Sequence, residues 1–96
     1  MITEREFLER ARLDRQTLTV WIEEEWLIPA RETDELAFTD MDLARANLIR
    51  DLKDNMGVNH EGLGVILHLL DQMHSLRRAL AAALESRPDR RPSSEQ

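Results

Sequence analysis

The apolar positions of this chain recur mostly at three- and four-residue spacing, and polar caps interrupt them. Leu18, Trp21 and Ile22 stand at i, i+3 and i+4, one stripe of a helix. Asp14 precedes that stripe as an N-cap with Thr17 three residues on, so the spacing predicts a helix over about Arg15–Trp26. Pro29 drives Ile28 toward an extended conformation, so the helix must end before it. Upstream, Thr3-Glu4-Arg5-Glu6 is a capping box that opens a first helix over about Glu4–Leu13, with Phe7, Leu8 and Ala11 inward. Downstream, the apolar runs Leu27-Ile28 and Leu36-Ala37-Phe38 flank Thr33-Asp34-Glu35, which predicts a small hairpin over about Ile28–Phe38. Its tip lacks the Gly or Asn of a usual tight hairpin turn.

Thr39-Asp40-Met41-Asp42 is a second cap, for a third helix over about Met41–Asn55 whose inward residues are Leu43, Ala46, Leu48, Ile49 and Leu52. Gly57 is the expected left-handed residue that closes it. Asn59 caps a long fourth helix, about His60–Ser86. Leu63, Ile66, Leu70, Met73, Leu80 and Leu84 form one row along it, and Val65, Leu69, Leu76 and Ala83 a second. That stripe is too wide for a single seam. At roughly 27 residues the helix is about 40 Å long, longer than a domain of this size needs. The expectation is two contacts, the first half covering the small domain and the second half, Leu76, Leu80 and Leu84, pairing with another copy of the chain as a dimer. The whole is a mostly α chain: a winged helix-turn-helix over 1–57 with a β-hairpin wing, a long helix over 58–86 for packing and dimerisation, and a disordered tail over 87–96.

Composition narrows the chemistry. Ninety-six residues suit one domain. There is no Cys, which removes disulfides, thiolate metal sites and cysteine nucleophiles. No apolar run approaches a bilayer span, and no basic-then-apolar leader opens the sequence, so a cytoplasmic protein is the expectation. Net charge is −6 and uneven: residues 1–74 carry 16 acids against 8 bases, a net of −8, and residues 75–96 carry 3 against 5, a net of +2. Nucleic-acid binders of this size usually show a basic face, whereas an acidic one suits a basic protein partner.

The order of elements resembles the helix-turn-helix domain of the MerR group. The likeness rests on Ile2–Phe7 for the first helix, on Thr17–Glu23 with Leu27–Arg31 for the second helix and wing, and on Phe38–Leu52 for the third. Within that group the chain most resembles short chaperone modulators of the CbpM type, through Glu24-Glu25-Trp26-Leu27-Ile28-Pro29-Ala30-Arg31-Glu32 and Val58–Met73. The resemblance implies a protein without enzymatic activity or cofactor that binds the J-domain of a DnaJ/CbpA-like co-chaperone and inhibits it. It also implies a departure from the DNA-binding members. Their basic and aromatic phosphate contacts are replaced here by Thr19-Val20-Trp21 and Leu36-Ala37-Phe38.

Two functions from different classes follow. As a J-domain modulator, the chain would use Glu23, Glu24 and Glu25 with Asp34 and Glu35 on the wing, carboxylates that suit the basic helix a J-domain presents. As a MerR-like DNA-binding transcriptional regulator, it would use Arg12, Arg15, Gln16, Thr17 and Arg31, with Thr19 beside them. The run of acids argues against phosphate contact and makes nucleic acid the weaker expectation. A metal or catalytic site would use His60, His68, Asp71 and His74, but His68 and His74 point to different sides of one helix and lack the i, i+4 pairing of zinc helices. Trp21 and Trp26 are expected in the core.

Overall fold

The computed structural model describes residues 1–86, and the expected tail over 87–96 lies outside them. The chain falls into two units divided after Gly64. In the first, a short strand β1 (Ile2–Thr3) leads into α1 (Glu4–Ala11). Then come α2 (Arg15–Glu23), β2 (Ala30–Glu32), β3 (Glu35–Phe38), α3 (Asp40–Arg50) and a π-helical turn (Asp51–Asn55). α4 (His60–Glu85) begins in the first unit and makes up the described part of the second.

Every predicted helix start is made by the cap expected of it. Thr3 and Thr39 each form a full capping box, with Glu6 and Asp42 respectively. Asp14 Oδ1 accepts from the Thr17 N–H at 2.7 Å, and Asn59 Oδ1 from the Gly62 N–H at 2.8 Å. Gly62 suits that second cap, because a Cβ there would stand 2.8 Å from a Val58 methyl and 3.1 Å from the capping oxygen.

The helix ends differ from expectation. α1 stops at Ala11 rather than Leu13, and α2 at Glu23 rather than Trp26. Both close in the same way. Arg12 is left-handed (φ 59°), with the Leu13 N–H bonded to the Leu8 carbonyl and the Arg12 N–H to that of Glu9. Glu25 is left-handed (φ 62°), with the Trp26 N–H bonded to the Trp21 carbonyl and the Glu25 N–H to that of Ile22. These are complete Schellman motifs built without glycine. A left-handed residue switches the chain off each helix two to three residues before side-chain periodicity would stop it. The third helix also departs, giving way to the π-helical turn over Asp51–Asn55 before Gly57 closes it at the expected positive φ of 68°.

The wing is a three-stranded antiparallel sheet in the order β1-β3-β2, not a lone hairpin. Ile2 pairs with Phe38 and Thr3 with Ala37, while Glu32 faces Glu35 across the tip. The strands start two residues later than expected. Leu27 is buried, but Ile28 is 75% exposed and belongs to no strand. Thr33 (φ 47°) and Asp34 (φ 69°) form a two-residue turn with both residues left-handed, the type I′ geometry that usually needs Asn or Gly. The Thr33 hydroxyl donates to the Glu32 carbonyl at 2.6 Å and helps hold it.

The core of the first unit gathers Phe7, Ala11, Leu18, Trp21, Trp26, Leu27, Phe38, Ala46, Ile49, Leu52 and Leu63. Phe7 and Phe38 stack with centroids 4.0 Å apart and planes 14° apart, tying α1 to β3. Both tryptophans are core, as expected. Leu48, expected inward, is 38% exposed, so the buried face of α3 is narrower than its apolar content suggested.

Two measurements test these local rules. The Thr17 backbone N–H, and after it the Thr17 hydroxyl, hold the Asp14 carboxyl below its ordinary range. A depressed folded-state pKa means that this stabilisation is complete above the unfolded value of about 4 and is lost as pH falls through the folded one. The melting temperature of Asp14→Asn, which keeps a cap but does not titrate, should therefore fall less than wild type on acidification below about pH 4. Glu25→Gly should raise stability by about 0.5–1 kcal/mol in thermal denaturation by relieving the left-handed conformation. Glu25→Ala, which keeps the Cβ and removes the charge, should lack that gain.

Candidate protein-docking face

α2 and its flanks carry residues of both functional readings, at opposite ends. At its start Asp14 fixes the first turn, leaving Gln16 exposed and Thr17 half-buried. At its end the Schellman closure turns Glu23, Glu24 and Glu25 out to solvent as a group. The setting disfavours acids in two ways. The C-terminal end of a helix carries partial negative charge, and like charges crowd there. One of the three has a partner: Glu24 Oε2 lies 3.0 Å from His60 Nε2, and both side chains remain about half exposed.

His60 is the first residue of α4. Its ring lies 4.7 Å from that of Trp26, which is itself 6.4 Å from Trp21. A Cβ on Gly64 would stand 3.9 Å from the Trp26 indole nitrogen, an ordinary van der Waals contact. Arg45 donates to the Trp26 carbonyl and ties the loop after α2 to α3. Beside this group opens a cleft of about 280 Å³. Val20, Trp21, Trp26, Val58 and Leu63 line it with apolar surface, and Gln16, Thr17, Lys53, Asn59 and His60 edge it. Thus Gln16 and Thr17 face a cleft, and the histidine beside the acids is one of its walls. The sequence reading missed this cleft, because Val58 and Leu63 reach it from elements distant in sequence.

The wing holds the second set of acids. Asp34 sits at the tip, Glu35 begins β3, and Glu32 opposite Glu35 makes a like-charge cross-strand pair of the kind that weakens a hairpin. The basic residues of the alternative reading have acidic neighbours. Arg15 pairs with Glu4 at 3.4 Å, and Arg31 shares an open groove with Glu4, Asp34 and Glu35. Arg12 is exposed at the left-handed turn between α1 and α2. Among the described residues no group of three or more His, Asp or Glu side chains could hold a metal ion, and His60 stands with Glu24 and Trp26 instead.

In the second unit, Leu76, Leu80 and Leu84 are exposed, Leu76 to 70%. Leu69 and Met73 are exposed as well. Ile66, Leu69, Met73, Leu76, Leu80 and Ala83 alternate three- and four-residue steps, the spacing of a coiled-coil seam, and Leu84 flanks it beside Ala83. Among the described residues no helix is long and apolar enough to cross a membrane.

No curated protein and no solved structure matches the chain. The description "MerR HTH family regulatory protein" matches residues 2–83, which takes in the helix-turn-helix, the wing and nearly all of α4. With the capped α1-turn-α2 pair, the strand-braced wing and the long last helix, the chain belongs to the MerR helix-turn-helix family of regulatory proteins.

Proposed function

We propose that this member of the family regulates by binding protein rather than DNA, and that its target is the J-domain of a DnaJ/CbpA-like co-chaperone, which it inhibits. The observation that carries this reading is the exposed row Glu23-Glu24-Glu25 at the end of α2, on a scaffold whose relatives are regulators. Phosphates would meet the wrong sign there, whereas a basic helix would meet the right one. Asp34 and Glu35 extend the negative surface onto the wing. Acids kept at a helix C-terminus, and Glu32 kept opposite Glu35, are locally unfavourable, which supports a role outside the fold.

The second reading is a MerR-like DNA-binding regulator. Arg12, exposed on the turn before α2, favours it, and Arg15, Gln16, Thr17 and Arg31 would complete the contact. Arg15 would first have to leave Glu4. In either case we infer a homodimer through α4, with Leu76, Leu80 and Leu84 in the seam, because covering each large apolar side chain contributes about 1.5–3 kcal/mol.

Binding to the co-chaperone, followed by calorimetry, should weaken steadily as salt rises from about 50 to about 300 mM. The triple variant Glu23→Gln, Glu24→Gln, Glu25→Gln should lose roughly 3- to 150-fold in affinity, taking about 0.2–1 kcal/mol per exposed ion pair. No binding at low salt, together with a retarded band on genomic DNA fragments, would favour the DNA-binding reading. Sedimentation equilibrium should show a dimer for wild type and a monomer for Leu76→Lys, Leu80→Lys, since two buried cations per chain oppose the seam.

A further inference from the structure

We propose that the cleft between α2, the segment after the π-helical turn and the start of α4 seats one apolar side chain of a basic helical segment of the partner. A cation about one turn farther along that segment then meets Glu23 and Glu24. This deepens the protein-binding reading above and rests on it.

Size admits a single side chain. Cavities that take small-molecule ligands usually run from about 300 to 1,000 Å³, whereas about 150 Å³ already holds a benzene ring. At about 280 Å³ this cleft lies just below the low end of that range and has room for a leucine- or phenylalanine-sized group. Its chemistry agrees. Five of the ten lining residues, Val20, Trp21, Trp26, Val58 and Leu63, are apolar, and Val20 stays 39% exposed between Gln16 and Glu23 on one face of α2.

Charge decides what must flank that group. Gln16, Val20 and Glu23 fall at i, i+4 and i+7, on one face of α2, so the wall of the cleft runs on into the acids. Glu24 reaches His60 on the opposite wall. Glu24 therefore adjoins the cleft through His60, and Lys53, on its lining, acts on Asp14 at the other end of α2. Three to four residues of α2 separate Val20 from Glu23 and Glu24, about 4.5–6 Å along the axis. A partner helix spans that distance between an apolar residue and a basic one at i+3 or i+4. Lys53 opposes a cation at the other end, so the charges also set the direction in which the segment lies.

Trp21 and Trp26 are the two tryptophans of the chain, and both line the cleft, so their emission reports its occupancy directly. Full-length DnaJ-like co-chaperone is titrated into the full chain, with emission and calorimetry read together. Val20→Asp should abolish the emission change and weaken binding roughly tenfold, and Val20→Ala, which keeps helix propensity, should weaken it roughly threefold. If both variants bind as wild type does while the triple glutamine variant is weakened, the acids act without the cleft and the proposal is overturned. If wild type does not bind the co-chaperone, the J-domain reading fails, and a helical peptide of roughly 16 residues carrying Leu with Arg at i+4 is used in its place. A change of emission with that peptide, absent when Ser replaces its Leu, upholds the cleft, and no change overturns it. An emission change that follows protein concentration alone places a second copy in the cleft and also overturns it.

Discussion

The stack of Phe7 on Phe38 is the contact on which the first unit depends. A hairpin of three and four residues is marginal by itself. Here its inner strand ends in a ring wholly closed to solvent against α1, and its edge is extended by Ile2 and Thr3. Burial of one such ring contributes about 1.5–3 kcal/mol. The tip costs as much or more, since left-handed backbone at Thr33 and Asp34 costs of order 1–3 kcal/mol per residue and Glu32 faces Glu35 besides. The strained acidic tip is tolerable because the other end of the wing is anchored.

The same balance of a firm core and an unfavourable edge recurs at the end of α2. Trp21, Trp26 and Leu27 are buried, Arg45 holds the Trp26 carbonyl, and the backbone closes through two hydrogen bonds. Against that support stand a left-handed glutamate and three successive acids beside the negative end of the helix. Packing fixes where these carboxylates stand and leaves them in water. They adjoin the apolar cleft because α4 begins at that point and brings His60 across to Glu24. Arg15 and Arg31 both have carboxylates at hand, which weakens the field a nucleic acid would meet.

Much of this was legible in the residues. Four helix starts were, because a side-chain cap is a contact between neighbours in sequence and needs nothing from the rest of the chain: Thr3 with Glu6, Asp14 with Thr17, Thr39 with Asp42, Asn59 with Gly62. Gly57 as a left-handed stop and the burial of both tryptophans follow from equally local rules. Helix ends were less legible, since Arg12 and Glu25 take a conformation that composition does not advertise.

The sequence by itself determined the order of the elements, the class of fold and the acidic balance, all of which depend on residue type and short spacing. Only the tertiary structure decided that Ile2 and Thr3 join the wing, that Leu48 stays in solvent, that Arg15 meets Glu4, and that Val20, Val58 and Leu63 enclose one cleft beside Glu24 and His60. Each of those is a meeting of residues far apart along the chain, or the lack of one. Periodicity gives the face of a helix, but only packing decides what comes to lie against it.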